Sequence, residues 1–310
     1  MFKNLYRSIY LPIVLIAVAL ILIIDILSIT ILTETLKDAY NGMDEKRVAR
    51  ALDSCKLYIS SVASSAYNLS LDDDLIRELA ASAPTGNPIV SKLDNTCNYS
   101  LKINAVCAYS VNGAVYTSSQ IANVPTIEEL KKVDEIKEFI NGDEAAAISL
   151  RCECIADIYN NASYPDEMGV ITCCRKVYDG DKVIGWIFAD ILPSNLYSII
   201  FSNGKFENAV AFISSDKVRF EYANNSRHEN LLNGKHKGYF KYGASDEGFS
   251  ITVFNSTKDY DSKLIVLIVI LLAVSAGLAV AVHFAARLTA ASVTNRLDRL
   301  IQKMNSQKIA

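Results

Sequence analysis

The stretch Ala105-Val-Cys-Ala-Tyr-Ser-Val-Asn-Gly-Ala-Val-Tyr-Thr-Ser-Ser119 decides the fold of the central part of this chain. Apolar and β-branched residues stand on both sides of Asn112-Gly113, and an Asn-Gly pair supplies the positive φ values that a type I′ turn needs. The stretch therefore predicts an antiparallel hairpin, with strands over 105–111 and 114–119.

Helix-forming and strand-forming stretches surround this hairpin. We predict helices over 33–68, 71–79, about 126–141 and 193–201. Strands are predicted over 147–159, 168–178, 183–192, 209–214, 218–222, 238–242 and 249–254, with polar turns between them. The fold class is therefore α+β, with a long helix followed by two antiparallel-sheet modules in series.

Two apolar stretches, 9–32 and 264–286, flank this middle part. Each approaches or exceeds the ~20 residues that cross a hydrocarbon core. Lys3 and Arg7 precede the first stretch and a basic tail from Arg287 follows the second, so 1–8 and 287–310 are expected to be cytoplasmic. A cleaved signal peptide is the alternative for 9–32, but the run is longer than a usual signal core and contains Asp25. We expect a multi-pass cell-membrane protein with residues 33–263 extracellular.

Polar and small residues stand out inside the two apolar stretches. Carboxylates within membranes are functional suspects. A natural partner of Asp25 would be polar, but Ser275 lies somewhat deeper on the second stretch and His283 near its opposite end, so we expect protonation of Asp25 or a hydrogen bond across a dimer. A small residue recurs at every fourth position of the second stretch, at Ala273, Gly277 and Ala281. Helices approach closely along such stripes, so we expect a homodimer packed there.

Composition excludes some functions. The net charge is −3 and no basic run is interleaved with aromatic residues, which argues against nucleic-acid binding. The sequence shows no nucleophile elbow and no phosphate-binding glycine loop, so we expect neither catalysis in this chain nor a cofactor. Seven cysteines leave three options open, which are apolar packing, a disulfide, and metal or redox chemistry: Cys55, Cys97, Cys107, Cys152, Cys154, Cys173 and Cys174.

The stretch Lys182-Val-Ile-Gly-Trp-Ile-Phe-Ala-Asp-Ile191, with the hairpin, the long helix and the first apolar stretch, carries a family resemblance. The chain resembles the double Cache (PAS-like) sensor of bacterial transmembrane receptors, and most closely that of Gram-positive sensor histidine kinases. The resemblance implies a membrane-distal module over about 70–203 that binds a small molecule, and a proximal module over about 204–258. It also implies a cytoplasmic output module, a histidine kinase, beyond the chain.

The tail over 287–310 resembles the start of a HAMP linker, which would carry the signal onward. Its apolar residues share one helical face: Val293, Leu297, Leu300, Ile301 and Met304. The proline usual near the start of that helix is absent, and Arg296 stands at about its position.

The resemblance also implies ligand-binding residues. Asp190 matches the aspartate that contacts the ligand's amino group in amino-acid-binding members, and Trp186 shares its strand face. Arg151, Asp157 and Tyr159 would border the pocket, with Tyr109 at its floor. The Arg-x-Trp-Tyr element of those members is absent. The alternatives are a helix-capping role for Asp190, a solvated strand edge for Arg151 and Asp157, and packing for the tyrosines.

The sequence thus predicts a membrane-bound sensor that binds a small molecule outside the cell and signals to a cytoplasmic module. Two alternatives remain: a non-signalling envelope protein that docks a protein or cell-wall partner, and a surface glycoprotein with sequons such as Asn161-Ala-Ser163.

Overall fold

The computed structural model describes residues 2–81, 87–98, 102–119, 124–154, 168–204, 206, 209–215, 219–222, 231, 238–246 and 249–307. The chain divides into two compact units, Met1–Gly42 with Thr257–Ala310, and Met43–Ser256. Helix α1 (Phe2–Ser70) contributes residues to both units. It is a single continuous helix because its sequence contains no proline after Pro12 and Gly42 is its one glycine.

The first unit consists of the start of α1 and the final helix α7 (Lys258–Gln307), both long and apolar enough to cross a membrane. The hydroxyl of Ser275 donates to the carboxylate of Asp25 over 2.5 Å within one chain, although the sequence placed Ser275 somewhat deeper in the membrane than Asp25. His283 instead pairs with the hydroxyl of Tyr10, 2.6 Å away. The three small residues of the predicted stripe are exposed in the single chain, as is the apolar face of the tail: Ala273, Gly277, Ala281, Val293, Leu297, Leu300, Ile301 and Met304.

The second unit contains two antiparallel sheets. The first has the order β2-β1-β5-β4-β3 and the second the order β7-β6-β9-β8. The strands are β1 (Ala105–Ser110), β2 (Val115–Thr117), β3 (Ala146–Cys154), β4 (Met168–Asp179), β5 (Lys182–Ile191), β6 (Ala209–Ser215), β7 (Arg219–Tyr222), β8 (Tyr239–Asp246) and β9 (Phe249–Ser256). Among the described residues, five helices accompany these strands: α2 (Asp73–Ala80), α3 (Asn87–Asn98), α4 (Ile127–Leu130), α5 (Asp134–Asn141) and α6 (Pro193–Gly204).

One hydrophobic core serves both sheets. Val48 and Val62 of α1 belong to the same buried cluster as Ile187 of the first sheet and Val253 of the second. The α+β class and the long first helix are therefore confirmed. The division into distal and proximal modules stays a prediction.

Gly185 on β5 lies in close contact with a neighbouring strand and a helix. A Cβ atom there would overlap the carbonyl oxygen of Tyr109 on β1 and lie 3.1 Å from Leu79 of α2. Glycine is required at this position because the backbone of one strand and a helix side chain converge on it.

The predicted hairpin is confirmed, but its turn is not type I′. Gly113 has a φ of 90°, whereas Asn112 is not among the described residues with positive φ. The amide of Gly113 donates to the carbonyl of Ser110, and the amide of Ser110 donates to Ala114. These bonds define a three-residue loop that ends in a left-handed glycine, which needs only one positive φ.

Two helix predictions also differ from the structure. The single helix expected over 126–141 is divided into α4 and α5, because the capping box of Thr126 and Glu129 starts a short first helix. Helix α3 was not predicted, since it contains few strong helix formers and several residues of low helix propensity, namely three asparagines, a proline and a threonine.

The described cysteines are free and buried: Cys55, Cys97, Cys107, Cys173 and Cys174. Cys173 packs in the core cluster that contains α1, and Cys174 packs on the opposite side of the sheet. Packing thus accounts for these five, whereas the side chains of Cys152 and Cys154 lie outside the described part.

Candidate functional site

The face of the first sheet opposite α1 carries a small cavity. Strand register places Phe188 of β5 between Cys107 of β1 and Cys174 of β4, and helices α4 and α5 cover this face with Leu130 and Ile136. The cavity is small: its volume is about 240 Å³ even when open solvent at its mouth is counted. Its wall is formed by Cys107, Tyr109, Pro125, Leu130, Ile136, Arg151, Thr172, Phe188 and Asp190.

A buried ion pair forms the polar end of this wall. The Nη2 atom of Arg151 donates to Oδ2 of Asp190 over 2.6 Å, and its Nε atom donates to the hydroxyl of Thr172 over 3.0 Å. Thr172 in turn donates to Oδ1 of Asp190 over 2.6 Å. Arg151 is 4% exposed and Asp190 is 2% exposed. Opposite charges are thus held side by side in the wall of a mostly apolar cavity.

Strand pairing explains how these three residues meet. Thr172 and Asp190 are direct partners across β4 and β5, and Arg151 lies one strand further out on β3. The ladder between β3 and β4 shifts register between Arg151 and Cys154. Such irregularities re-aim side chains near binding sites.

The negative charge of Asp190 acts on its neighbours. Burial first, and then this charge, raises the pKa of the Cys107 thiol above its usual range. The same two causes raise the pKa of Cys174. Burial likewise raises the pKa of Tyr109, whose neutral hydroxyl donates to the carbonyl of Pro125 over 2.9 Å. Both thiols are therefore protonated at neutral pH and are not nucleophiles.

The structure brings three of the predicted site residues together in the cavity wall, namely Asp190, Arg151 and Tyr109. Trp186 packs beside Tyr109 in the adjoining cluster, but it does not line the cavity. Asp157 and Tyr159 lie outside the described residues.

One alternative does not hold, because Arg151 is buried rather than on a solvated strand edge. The Oδ2 atom of Asp190 accepts from Arg151 and its Oδ1 atom accepts from Thr172, so both carboxylate oxygens have partners in the cavity wall.

Thr172 was missed from the sequence. Its alternation with Cys174 indicates a strand face, but only the register shows that it lies opposite Asp190. Within the described ranges, no group of three or more metal-ligating side chains is present.

Solved structures of receptor domains resemble this chain. The sensory domain of the Campylobacter jejuni chemoreceptor Tlp3 (CcmL) matches with a TM-score of 0.51 and 16% identity, over 72% of this chain and 96% of that domain. The Tlp3 ligand-binding domain in complex with L-valine matches with a TM-score of 0.50 and 16% identity, over 72% and 95%. The ligand-binding domain of the Pseudomonas aeruginosa amino-acid chemoreceptor PctC in complex with GABA matches with a TM-score of 0.49 and 12% identity, over 71% and 99%.

No protein-family model and no curated protein matches the sequence. The predicted likeness to bacterial sensor ectodomains is confirmed at the level of fold. The chain therefore contains the fold of a chemoreceptor sensory domain.

Proposed function

We propose that this chain is the sensing part of a membrane-bound receptor and that its cavity binds a small zwitterion of the amino-acid class. The observation that carries the proposal is the buried pair of Arg151 and Asp190 in the cavity wall. A ligand ammonium would replace the guanidinium on Asp190, and the ligand carboxylate would take up Arg151.

Charge balance sets the specificity. An amine alone would occupy Asp190 and leave Arg151 buried without an anion, and an acid alone would leave Asp190 without a cation. An uncompensated buried charge costs about 3–5 kcal/mol. A ligand that carries both charges avoids that cost, so both groups are required.

The apolar wall and the small volume restrict the rest of the ligand. Phe188, Leu130 and Ile136 line the same cavity as the ion pair, and they suit a short apolar side chain better than a charged one. The Tlp3 structure with L-valine supports this ligand class, since its domain shares the fold.

The wider proposal concerns signalling. The two apolar helices cross the membrane with both termini in the cytoplasm, and two copies pair along the exposed stripe of Ala273, Gly277 and Ala281. Ligand binding shifts the receptor between two conformations to the extent that it binds them differently. Helix α7 leads through a HAMP-like segment to a cytoplasmic histidine kinase.

A thermal-shift screen tests the binding proposal. The full chain in detergent is heated with each of the twenty amino acids, and the fluorescence of Trp186, the single tryptophan, reports unfolding of the unit that holds the cavity. A ligand present at 100 times its Kd raises the free energy of unfolding by about 2.7 kcal/mol.

Two variants complete the screen. Asp190→Asn should abolish the shift. Asp246→Asn, which removes the exposed partner of Lys56 in the second sheet, should retain it. An unchanged shift in Asp190→Asn, or no shift with any amino acid, would contradict the proposal.

A further inference from the structure

Ser149 on β3 carries a buried hydroxyl that bonds to nothing in the part of the chain that the structure describes. The residue is 2% exposed. A buried polar atom without a partner destabilises the folded state, so each one in a native protein requires an explanation. The same sheet offers a contrast, because the equally buried Ser110 donates to the carbonyl of Leu79 over 2.7 Å.

Ser149 lies at the end of a row of polar side chains. It is the cross-strand partner of Thr172, which is in turn the partner of Asp190. Direct partners in an antiparallel sheet place their side chains on the same face. Ser149, Thr172 and Asp190 therefore form one row across three strands, which we call the polar row.

Arg151 connects this row to the ligand. It stands two residues from Ser149 on the same strand and the same face, and its guanidinium bonds to the other two members of the polar row. If a ligand ammonium takes its place on Asp190, the guanidinium moves with the ligand's carboxylate. Because Arg151 is anchored on β3, that carboxylate comes close to Ser149.

We propose that Ser149 is a further ligand-binding residue, whose hydroxyl donates to the carboxylate that Arg151 holds. The inference rests on the proposed zwitterion site. It explains why a buried serine hydroxyl has no partner among the described residues: the ligand supplies the partner. A hydrogen bond to a charged acceptor is also stronger than one between neutral groups.

The ammonium is the wrong partner for Ser149. Adjacent strands lie about 4.8 Å apart, so the backbone of Ser149 is two spacings, or roughly 10 Å, from that of Asp190. An ammonium held by Asp190 lies at the far end of the polar row. The carboxylate, which follows Arg151, lies at the near end.

Two serine variants test the inference in the full chain in detergent, with each of the twenty amino acids as probe. Ser149→Ala should raise Kd about tenfold or more, where tenfold corresponds to about 1.4 kcal/mol. It should not lower the thermal midpoint without ligand, since no hydrogen bond is lost. Ser110→Ala, on the opposite face, should lower the midpoint and leave Kd within about twofold.

The outcomes separate this inference from the proposed function. If the wild type binds an amino acid and Ser149→Ala binds it equally well, the role of Ser149 is refuted and the zwitterion site stands. A lower midpoint of Ser149→Ala with unchanged Kd has the same meaning, because the hydroxyl would then be structural. If no amino acid binds the wild type, both proposals fail.

Discussion

Arg151→Met removes the cation from the buried pair and leaves the carboxylate of Asp190 in an apolar surrounding. The two residues are 2.6 Å apart at their nearest atoms and almost completely buried. Breaking such a pair from one side costs about 3–5 kcal/mol, because the remaining charge has lost its partner and cannot reach water.

Replacing both partners has a different effect. Arg151→Met combined with Asp190→Val leaves no charge behind, and exchanges of a whole buried pair for apolar residues are often neutral or stabilising. The double variant should therefore be more stable than Arg151→Met alone, although it carries one more substitution. Neither protein should bind amino acids.

Thermal unfolding followed by Trp186 fluorescence measures this difference. In units of 150–250 residues about 1 kcal/mol shifts the midpoint by 2–4 °C, so Arg151→Met should lower it by roughly 6–20 °C. The double variant should recover most of that loss. The reasoning would be refuted if the midpoint of Arg151→Met lay within about 2 °C of the wild-type midpoint, or if the double variant unfolded at a lower temperature than Arg151→Met.

Three further predictions concern packing, pH and thiol chemistry. Gly185→Ala should destabilise by about 1–3 kcal/mol because its methyl group overlaps strand β1, whereas Gly243→Ala, whose Cβ meets only ordinary contacts, should be neutral or slightly stabilising in the same unfolding assay. Hydrogen bonds from the backbone and then the side chain of Thr126 lower the pKa of Glu129, so the charged carboxylate stabilises the folded state at neutral pH. The unfolding midpoint of Glu129→Gln should therefore lie below that of the wild type at pH 7, and the two midpoints should converge below about pH 4. Cys107 and Cys174 should resist maleimide in the folded protein and react in denaturant, as peptide mapping by mass spectrometry would show; rapid labelling of the native protein would contradict their burial.

Local sequence patterns predicted most of the secondary structure. The Asn112-Gly113 pair indicated the hairpin, and continuous apolar stretches indicated the two long helices. The type of turn was wrong, because an Asn-Gly pair fits both a two-residue and a three-residue loop and the choice depends on which strand residues pair.

The site was predictable only in part. Asp190 and Arg151 were expected near a ligand, but their direct bond depends on the register of the three strands β3, β4 and β5. Register is a long-range property that alternation along one strand cannot fix. For the same reason Thr172 and Ser149, ordinary polar residues in the sequence, became site candidates only when the strands were paired.

The requirement for both ligand charges can be measured most directly by calorimetric titration of the full chain with a matched set of three compounds for each amino acid that binds. For valine these are L-valine, isobutylamine, which lacks the carboxylate, and isovalerate, which lacks the ammonium. A site built on Arg151 and Asp190 predicts binding of the amino acid and a loss of at least about 3 kcal/mol, or more than a hundredfold in Kd, for each of the other two. Comparable affinity for the amine or the acid would contradict it.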